Sequence, residues 1–258
     1  MTKKTKIILN GCMGKLGTAI SSLKYTNCTI VFGVDIAQVA TNKDFPIYST
    51  LTECTATADV VIDCSSAAGL QNLLKFGIDK NIPLVICTTA LTAEDNSAIK
   101  AAAQQIAILQ SANMSLGINL LLNIVNKSAK LLYNSQFDIE IIEKHHNQKK
   151  DSPSGTALSL ANAINSSLKN NLDYVTDRTK KQASRSKAEI GIHSIRGGTI
   201  AGEHSVIFAG NNETIEFKHQ AITREVFATG ALKAAQFITK QPAGLYSMQN
   251  VIEDTFVF

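Results

Sequence analysis

The stretch K-I-I-L-N-G-C-M-G-K-L-G, residues 6–17, decides how the first half of the chain is built. Residues 6–10 form a short apolar run closed by a glycine, the pattern of a strand buried in a parallel sheet. Leu16, Ala19, Ile20 and Leu23 then recur at helical spacing, and a second apolar run, 29–34, ends on Asp35. Strand, glycine-rich turn, helix, strand and terminal carboxylate make a βαβ unit suited to a dinucleotide. Glycines let the backbone approach a pyrophosphate, the helix start supplies amides and a favourable dipole, and the carboxylate accepts from ribose hydroxyls. The spacing is G-x-x-G-x-x-G rather than the commoner G-x-G-x-x-G, so the loop alone also fits a plain tight turn. Its place after the first strand, with Asp35 eighteen residues beyond Gly17, favours the dinucleotide.

The alternation continues outward from this unit. Strands are expected at 59–64, 83–87 and 106–110, and helices at 68–80 and 92–105. Ligands of open α/β sheets bind beyond the carboxyl ends of the strands. Those ends carry Ser65, Thr88 and Thr89, and Ala112 and Asn113. Ser65, Thr88 and Asn113 suit bonds to a nicotinamide ribose or carboxamide; the alternative is that they are caps and turn residues. Residues 115–133 read as a long, largely buried helix, and a domain boundary is placed at its start.

Past that boundary the pattern changes. Residues 170–187 are polar, with five basic residues between Arg178 and Lys187. They read as a mobile surface loop, with closure over an anionic ligand as the alternative. Three strands, 189–195, 203–210 and 213–219, follow without intervening helices, and Asn211-Asn212 marks a hairpin turn. An amphipathic helix over 224–239 and a strand-like tail are expected to return to the first domain. The fold class is therefore α/β, with one domain from 1–114 and 224–258, and an α+β domain with a mixed sheet from 115–223.

Composition excludes several functions. Aromatic residues make up 6% of the 258, with no Trp, too few for a platform that stacks bases, so a nucleic-acid partner is not expected. The net charge of +4 is mild and suits anionic small molecules. No apolar run is long enough to span a bilayer, and residues 1–6 lead into a strand without a signal-peptide core, so a cytoplasmic protein without a membrane partner is expected. Five scattered cysteines without a C-x-x-C pair argue against a disulfide framework or zinc ribbon and read mostly as small buried hydrophobes.

The second chemically dense stretch is E-I-I-E-K-H-H-N-Q-K-K-D-S-P-S-G-T-A, residues 140–157. A strand is expected to end near Glu143, and a helix to open at Pro153 to Thr156. Three readings compete for the segment between them. Glu143, His145, His146 and Asp151 as metal ligands lack H-E-x-x-H spacing, and Ser154 as a nucleophile lacks G-x-S-x-G. The third is an anion and proton-transfer site serving a nicotinamide. There Ser154, Gly155 and Thr156 offer amides and hydroxyls to a carboxylate, Lys149 a point charge, and a histidine a general acid. No metal is expected.

This stretch closely resembles the signature of the 4-hydroxy-tetrahydrodipicolinate reductases (dihydrodipicolinate reductases) of bacterial and plant lysine synthesis. So do the glycine loop and the T-T, A-N-M-S-x-G-x-N, R-G-G-x-x-G-E-H and F-A-x-G-A segments, and the likeness covers essentially the whole chain. The resemblance implies a Rossmann-like dinucleotide-binding domain completed by the C-terminal helix, and a substrate domain whose sheet assembles a homotetramer. It implies reduction of a small-molecule dicarboxylate by NADH or NADPH. Carried over by position, His145 becomes the catalytic acid/base and Lys149 the proton donor, with His146, Ser154, Gly155 and Thr156 binding substrate. Gly11, Cys12, Met13, Gly14, Lys15, Leu16, Asp35, Cys87, Thr88, Thr89, Ser111, Ala112, Asn113 and Met114 match the cofactor-contacting segments. The family's usual G-T-T-G is C-T-T-A here, with Cys87 and Ala90 in place of glycines, so a different backbone conformation is expected in that loop. Ile36 follows Asp35 where members that bind NADPH well often carry a base. That leans towards NADH, although Lys43 remains a candidate to compensate.

Overall fold

The computed structural model describes residues 4–37, 43–55, 57–169, 171–179 and 183–255. In chain order the elements are β1 (Thr5–Asn10), α1 (Lys15–Ser22), β2 (Cys28–Val34), β3 (Ile47–Tyr48), β4 (Val60–Asp63), α2 (Leu70–Lys80), β5 (Leu84–Ile86), α3 (Ala93–Ala102) and β6 (Ala107–Gln110). There follow α4 (Leu116–Asn134), β7 (Asp138–His145), α5 (Gly155–Ser167), β8 (Asp173–Val175), β9 (Glu189–Arg196), β10 (Gly202–Ala209), β11 (Thr214–Ala221), α6 (Glu225–Ile238), β12 (Gly244–Tyr246) and α7 (Met248–Thr255). They fall into two units, Met1–Leu116 with Arg224–Phe258, and Gly117–Thr223.

In the first unit an all-parallel sheet runs β12-β6-β5-β4-β1-β2-β3. Its strands are apolar on both faces because helices cover both. Ile7, Leu9, Ile62, Val85 and Leu109 join a cluster with Ile20 of α1 and Ala231, Leu232 and Ala235 of α6. The alternate residues Ile8, Val61, Leu84, Ile86 and Ile108 pack with Leu73 and Leu74 of α2 and Ile99 of α3. Each fully buried aliphatic side chain of this kind stabilises the fold by about 1.5–3 kcal/mol. From β1 the chain builds outward to β2 and β3 on one side and to β4, β5 and β6 on the other. The switch point therefore falls between β1 and β4, where a ligand crevice is expected in such sheets.

The C-terminal segment returns to this unit through α6 and through β12, which pairs parallel with β6. The tail is more than a strand: Met248, Val251 and Ile252 lie on one helical face and are buried in α7. That i, i+3, i+4 spacing is too short a run to stand out in the sequence.

In the second unit the sheet order is β11-β10-β7-β9-β8, with β7 parallel to β9 and antiparallel to β10. Helices α4 and α5 cover one face, packing Leu121, Val125, Leu160 and Ile164 onto Ile139, Ile141, Ile192, Val206 and Phe208. Two expectations change here. Strand β7 runs on to His145 instead of ending near Glu143, because its last two residues stay paired with Ile195 and Arg196 of β9. The polar segment after α5 contains strand β8, and its described basic residues pair with acids of the same unit. Arg178 bonds Glu140 and Glu189, Arg185 reaches Glu140 and Asp138, and Lys187 reaches Asp138. Lys180 and Lys181 lie outside the described residues.

Candidate active site

At the carboxyl end of β1 the backbone of the glycine loop is packed too closely for side chains. A Cβ on Gly11 would stand 2.7 Å from the backbone of Cys64 and Ser65, and one on Gly17 2.2 Å from the Gly11 carbonyl. Gly11 also has φ +76°, in the left-handed region that favours glycine. Helix α1 then starts at Gly14 with neither a side-chain cap nor an acid in its first turn. An uncapped helix start on a tight glycine loop suits a pyrophosphate. Asp35, past β2, braces the same loop by accepting from the Met13 amide at 2.9 Å and the Ala37 amide at 3.0 Å. Ile36 is 94% exposed beside it. The Lys43 ammonium bonds the Ser21 hydroxyl on α1.

A residue that sequence reasoning passed over organises the next part of this edge. The Asp63 carboxylate, 1% exposed at the end of β4, accepts from Asn10 Nδ2 at 2.7 Å, Ser65 Oγ at 2.6 Å and Thr88 Oγ1 at 2.6 Å. It ties the ends of three strands together, and the Ser65 and Thr88 hydroxyls serve it. Thr89 and Ala112 remain exposed. Ser111 and Asn113 hold their own turn: Ser111 Oγ donates to the Asn113 carbonyl at 2.8 Å, and Asn113 Oδ1 accepts from the Ser115 amide at 2.9 Å. Met114 is buried, with its carbonyl where a Cβ on Gly230 would sit, so α6 packs directly on this segment. Ala90 adopts φ 59°, so the C-T-T-A loop takes a left-handed turn without the glycine that would make it easy.

In the second unit β7 alternates between its two faces, so Ile139, Ile141, Glu143 and His145 share the buried one. The row that is apolar at its start becomes polar at its end. Register places Ser194 of β9 and His204 of β10 on either side of Glu143, and Arg196 beside His145. Glu143 is 0% exposed and fully engaged. It accepts from Arg196 Nη1 at 2.7 Å, Arg196 Nη2 at 2.6 Å and the Ser154 amide at 3.1 Å, and pairs with His145 Nδ1 at 2.5 Å. Burial opposes its charge, but hydrogen bonds from Arg196, His145 and Ser194 outweigh that and bring its pKa down to about 2.

Burial lowers the His145 pKa below the ordinary histidine value, and the positive Lys149 and Arg196 add to this against the pull of Glu143. With Nδ1 on the carboxylate, Nε2 is the ring nitrogen left for chemistry. Gly202 makes room for it: a Cβ there would sit 3.3 Å from His145 Nε2. His204 lies edge-on to His145 with ring centres 5.1 Å apart, and burial brings its pKa down to about 4.

The other expected site residues divide into two groups. His146 is half-buried and shares a turn with Lys149, whose amide donates to the His146 carbonyl at 3.2 Å. The Lys149 ammonium pairs with Asp151 at 2.8 Å. Ser154 is 2% exposed: its amide serves Glu143, and its hydroxyl caps Ala157 at 3.2 Å and meets His204 Nε2 at 3.1 Å. Gly155 and Thr156 open α5, whose first turn holds no acid. Glu143 and Asp151 are committed to cations of the chain, and among the described residues no group of three His, Cys, Asp or Glu is placed to hold a metal ion. Sequence reasoning weighed Glu143 only as a metal ligand and missed the support it forms with Ser194, Arg196 and His204. The signal was the R-G-G-x-x-G-E-H segment, which supplies Arg196, Gly202 and His204.

A parallel sheet with an uncapped glycine-loop helix at its switch point, and a second unit holding a buried Glu–His–Arg group, define an α/β protein with a Rossmann-like dinucleotide-binding domain. Residues 5–114 match the family described as dihydrodipicolinate reductase, N-terminus, and 117–252 match dihydrodipicolinate reductase, C-terminus. The chain belongs to the dihydrodipicolinate reductase family. It is 49% identical over 250 residues to the 4-hydroxy-tetrahydrodipicolinate reductase of Caldanaerobacter subterraneus subsp. tengcongensis, covering 96% of this chain and 98% of the relative. The Clostridium novyi enzyme of the same name is 47% identical, with 96% and 98% covered. In fold the chain is similar to the dipicolinate-bound dihydrodipicolinate reductase from Paenisporosarcina sp. TG-14, at TM-score 0.80 and 22% identity over 96% of this chain and 99% of that one.

Proposed function

We propose that the protein reduces 4-hydroxy-tetrahydrodipicolinate to tetrahydrodipicolinate with NADH or NADPH, in the diaminopimelate and lysine pathway. The observation that carries this is near-full-length identity of 47–49% to reductases named for that reaction. The Glu143–His145–Arg196 group and Lys149 supply chemistry that fits it. The glycine loop would hold the pyrophosphate of a bound NADH or NADPH, whose nicotinamide would supply the hydride for the reduction.

The residues of the second unit handle the anion and the proton. The amides of Gly155 and Thr156, with His146 and Lys149, hold a substrate carboxylate and so orient the ring. Lys149 delivers the proton as negative charge develops in the ring. His145 is held with Nδ1 towards Glu143 and its pKa lowered, so near neutrality it works mainly from its neutral form and positions the reacting groups through Nε2. A dipicolinate-bound relative supports a ring dicarboxylate as ligand.

NADH is the preferred reductant in this reading. Asp35 suits free ribose hydroxyls, Ile36 offers no charge to a 2′-phosphate, and Lys43 is turned to Ser21. The family resemblance further supports a homotetramer built on the mixed sheet, whose face opposite α4 and α5 carries the 45% exposed Ile195, and a cytoplasmic setting. No described helix is long and apolar enough to cross a membrane. Steady-state rates with NADH and NADPH, on substrate generated enzymatically, test the reading. A higher kcat/KM with NADH is expected, and exclusive use of NADPH would refute the assignment of Asp35 and Ile36.

A further inference from the structure

Cys64 and Cys87 stand side by side at the carboxyl end of the parallel sheet. The ladder between β4 and β5 pairs Val61 with Leu84, Ile62 with Val85 and Asp63 with Ile86. The Cys87 amide donates to the Asp63 carbonyl at 2.9 Å, so the pairing carries on to the two cysteines. Neighbouring strands lie about 4.8 Å apart, within the roughly 4.4–6.8 Å Cα separation that a disulfide bridges. Both side chains enter the same cluster beneath α1 and α6, on the face of the sheet that Ile62 and Val85 also line. Both are free thiols, Cys64 half-buried and Cys87 8% exposed. The mechanism uses neither sulfur.

We propose that Cys64 and Cys87 form a reversible cross-strand disulfide, a redox-sensitive modification site at the cofactor edge. A low-molecular-weight disulfide such as oxidised glutathione is the oxidant. The Cys64 thiolate attacks one of its sulfurs, forming a mixed disulfide and expelling a glutathione thiolate that takes up a proton. The Cys87 thiolate then attacks the Cys64 sulfur, closing the bridge and releasing the second glutathione. Two protein thiols lose two electrons and two protons, and one glutathione disulfide becomes two thiols. The contact with Cys87 and burial both raise the Cys64 pKa, so the first step is slow near neutrality and quickens as pH rises.

The bridge acts on the cofactor site from two sides, a consequence that rests on the reading of this edge as the NAD(P)H site. Gly11 packs against the Cys64 backbone with no room for a Cβ, so a shift of Cys64 displaces the glycine loop. Cys87 begins the turn that ends at Ala90 with φ 59°. Drawing the two sulfurs into a covalent bond moves both segments, and NADH affinity falls about tenfold.

The test incubates the full-length protein with oxidised glutathione over a range of pH, maps disulfide-linked peptides by mass spectrometry, and titrates NADH by fluorescence before and after dithiothreitol. A peptide joining Cys64 to Cys87, formed faster at higher pH, with NADH binding about tenfold weaker until reduction, is the expected result. Absence of that peptide, or its replacement by links to Cys12, Cys28 or Cys54, overturns the proposal. The peptide with unchanged NADH affinity overturns the control of binding. If the reduced protein binds no NADH while the bridge still forms, the cofactor reading fails and the modification site stands. Cys64→Ser and Cys87→Ala, each compared with itself before and after oxidant, should both lose the oxidant response; a response that survives in either one overturns the pairing.

Discussion

Glu143 Oε2 lies 2.5 Å from His145 Nδ1, two residues further along the same face of β7. The same carboxylate is clamped by both terminal nitrogens of Arg196. His145 thus has its ring plane, its tautomer and its local charge set by one buried acid.

Glu143→Gln keeps the shape and removes the charge. Arg196 and His145 then lose their shared anion, and kcat should fall about 10- to 100-fold with the NADH dissociation constant unchanged. Breaking a buried ion pair from one side costs about 3–5 kcal/mol, so denaturant unfolding of the variant should show a loss of that order. Unchanged kcat in folded protein would show that Glu143 does not position His145.

Acid stability follows from two depressed pKa values. His204 at about 4 stays neutral in the fold, so its contribution is complete above the unfolded value of about 6.5 and is lost as pH falls towards 4. Glu143 at about 2 acts in the next window: stability of about 3 kcal/mol is present above the unfolded carboxyl value and is lost as pH falls through 2. Denaturant midpoints measured from pH 8 to 2 should therefore decline in two stages. His204→Asn should flatten the upper stage and leave the lower one.

Ala90 holds φ 59°, where an L side chain costs about 1–2 kcal/mol. Glycine also loses more entropy on folding, by roughly 0.5–1 kcal/mol, so Ala90→Gly should stabilise the protein by about 0.5–1 kcal/mol in chemical denaturation. A destabilised Ala90→Gly protein would contradict the strain.

Much of this arrangement was legible in the sequence, for identifiable reasons. Residues 6–17 announced the first unit because glycines, helical periodicity and a distant Asp35 all have fixed spacings in a βαβ fold. Residues 140–157 stood out as a candidate site because His145, His146 and Lys149 crowd one segment. What stayed hidden depends on pairing between distant strands. Arg196 and His204 reach Glu143 only through the register of β7 with β9 and β10, which no local pattern records. Asp63 looked like one more residue of the strand expected at 59–64, and its role exists only because Asn10 and Thr88 converge on it. The basic residues 178–187 read as a mobile surface loop, with closure over an anion as the alternative, because the acids that three of them bind, Asp138, Glu140 and Glu189, lie on β7 and β9.

Lys149 is the residue on which the proposed chemistry turns. The decisive measurement is the rate of NADH oxidation on enzymatically generated 4-hydroxy-tetrahydrodipicolinate by wild type and by Lys149→Met, with NADH binding measured for both. The account predicts turnover by wild type, equal NADH affinity, and a rate about 10²- to 10⁴-fold lower in the variant. Wild-type protein that oxidises NADH with other imino or oxo acids but not with this substrate would contradict the function, and full activity in Lys149→Met would contradict the proton donor.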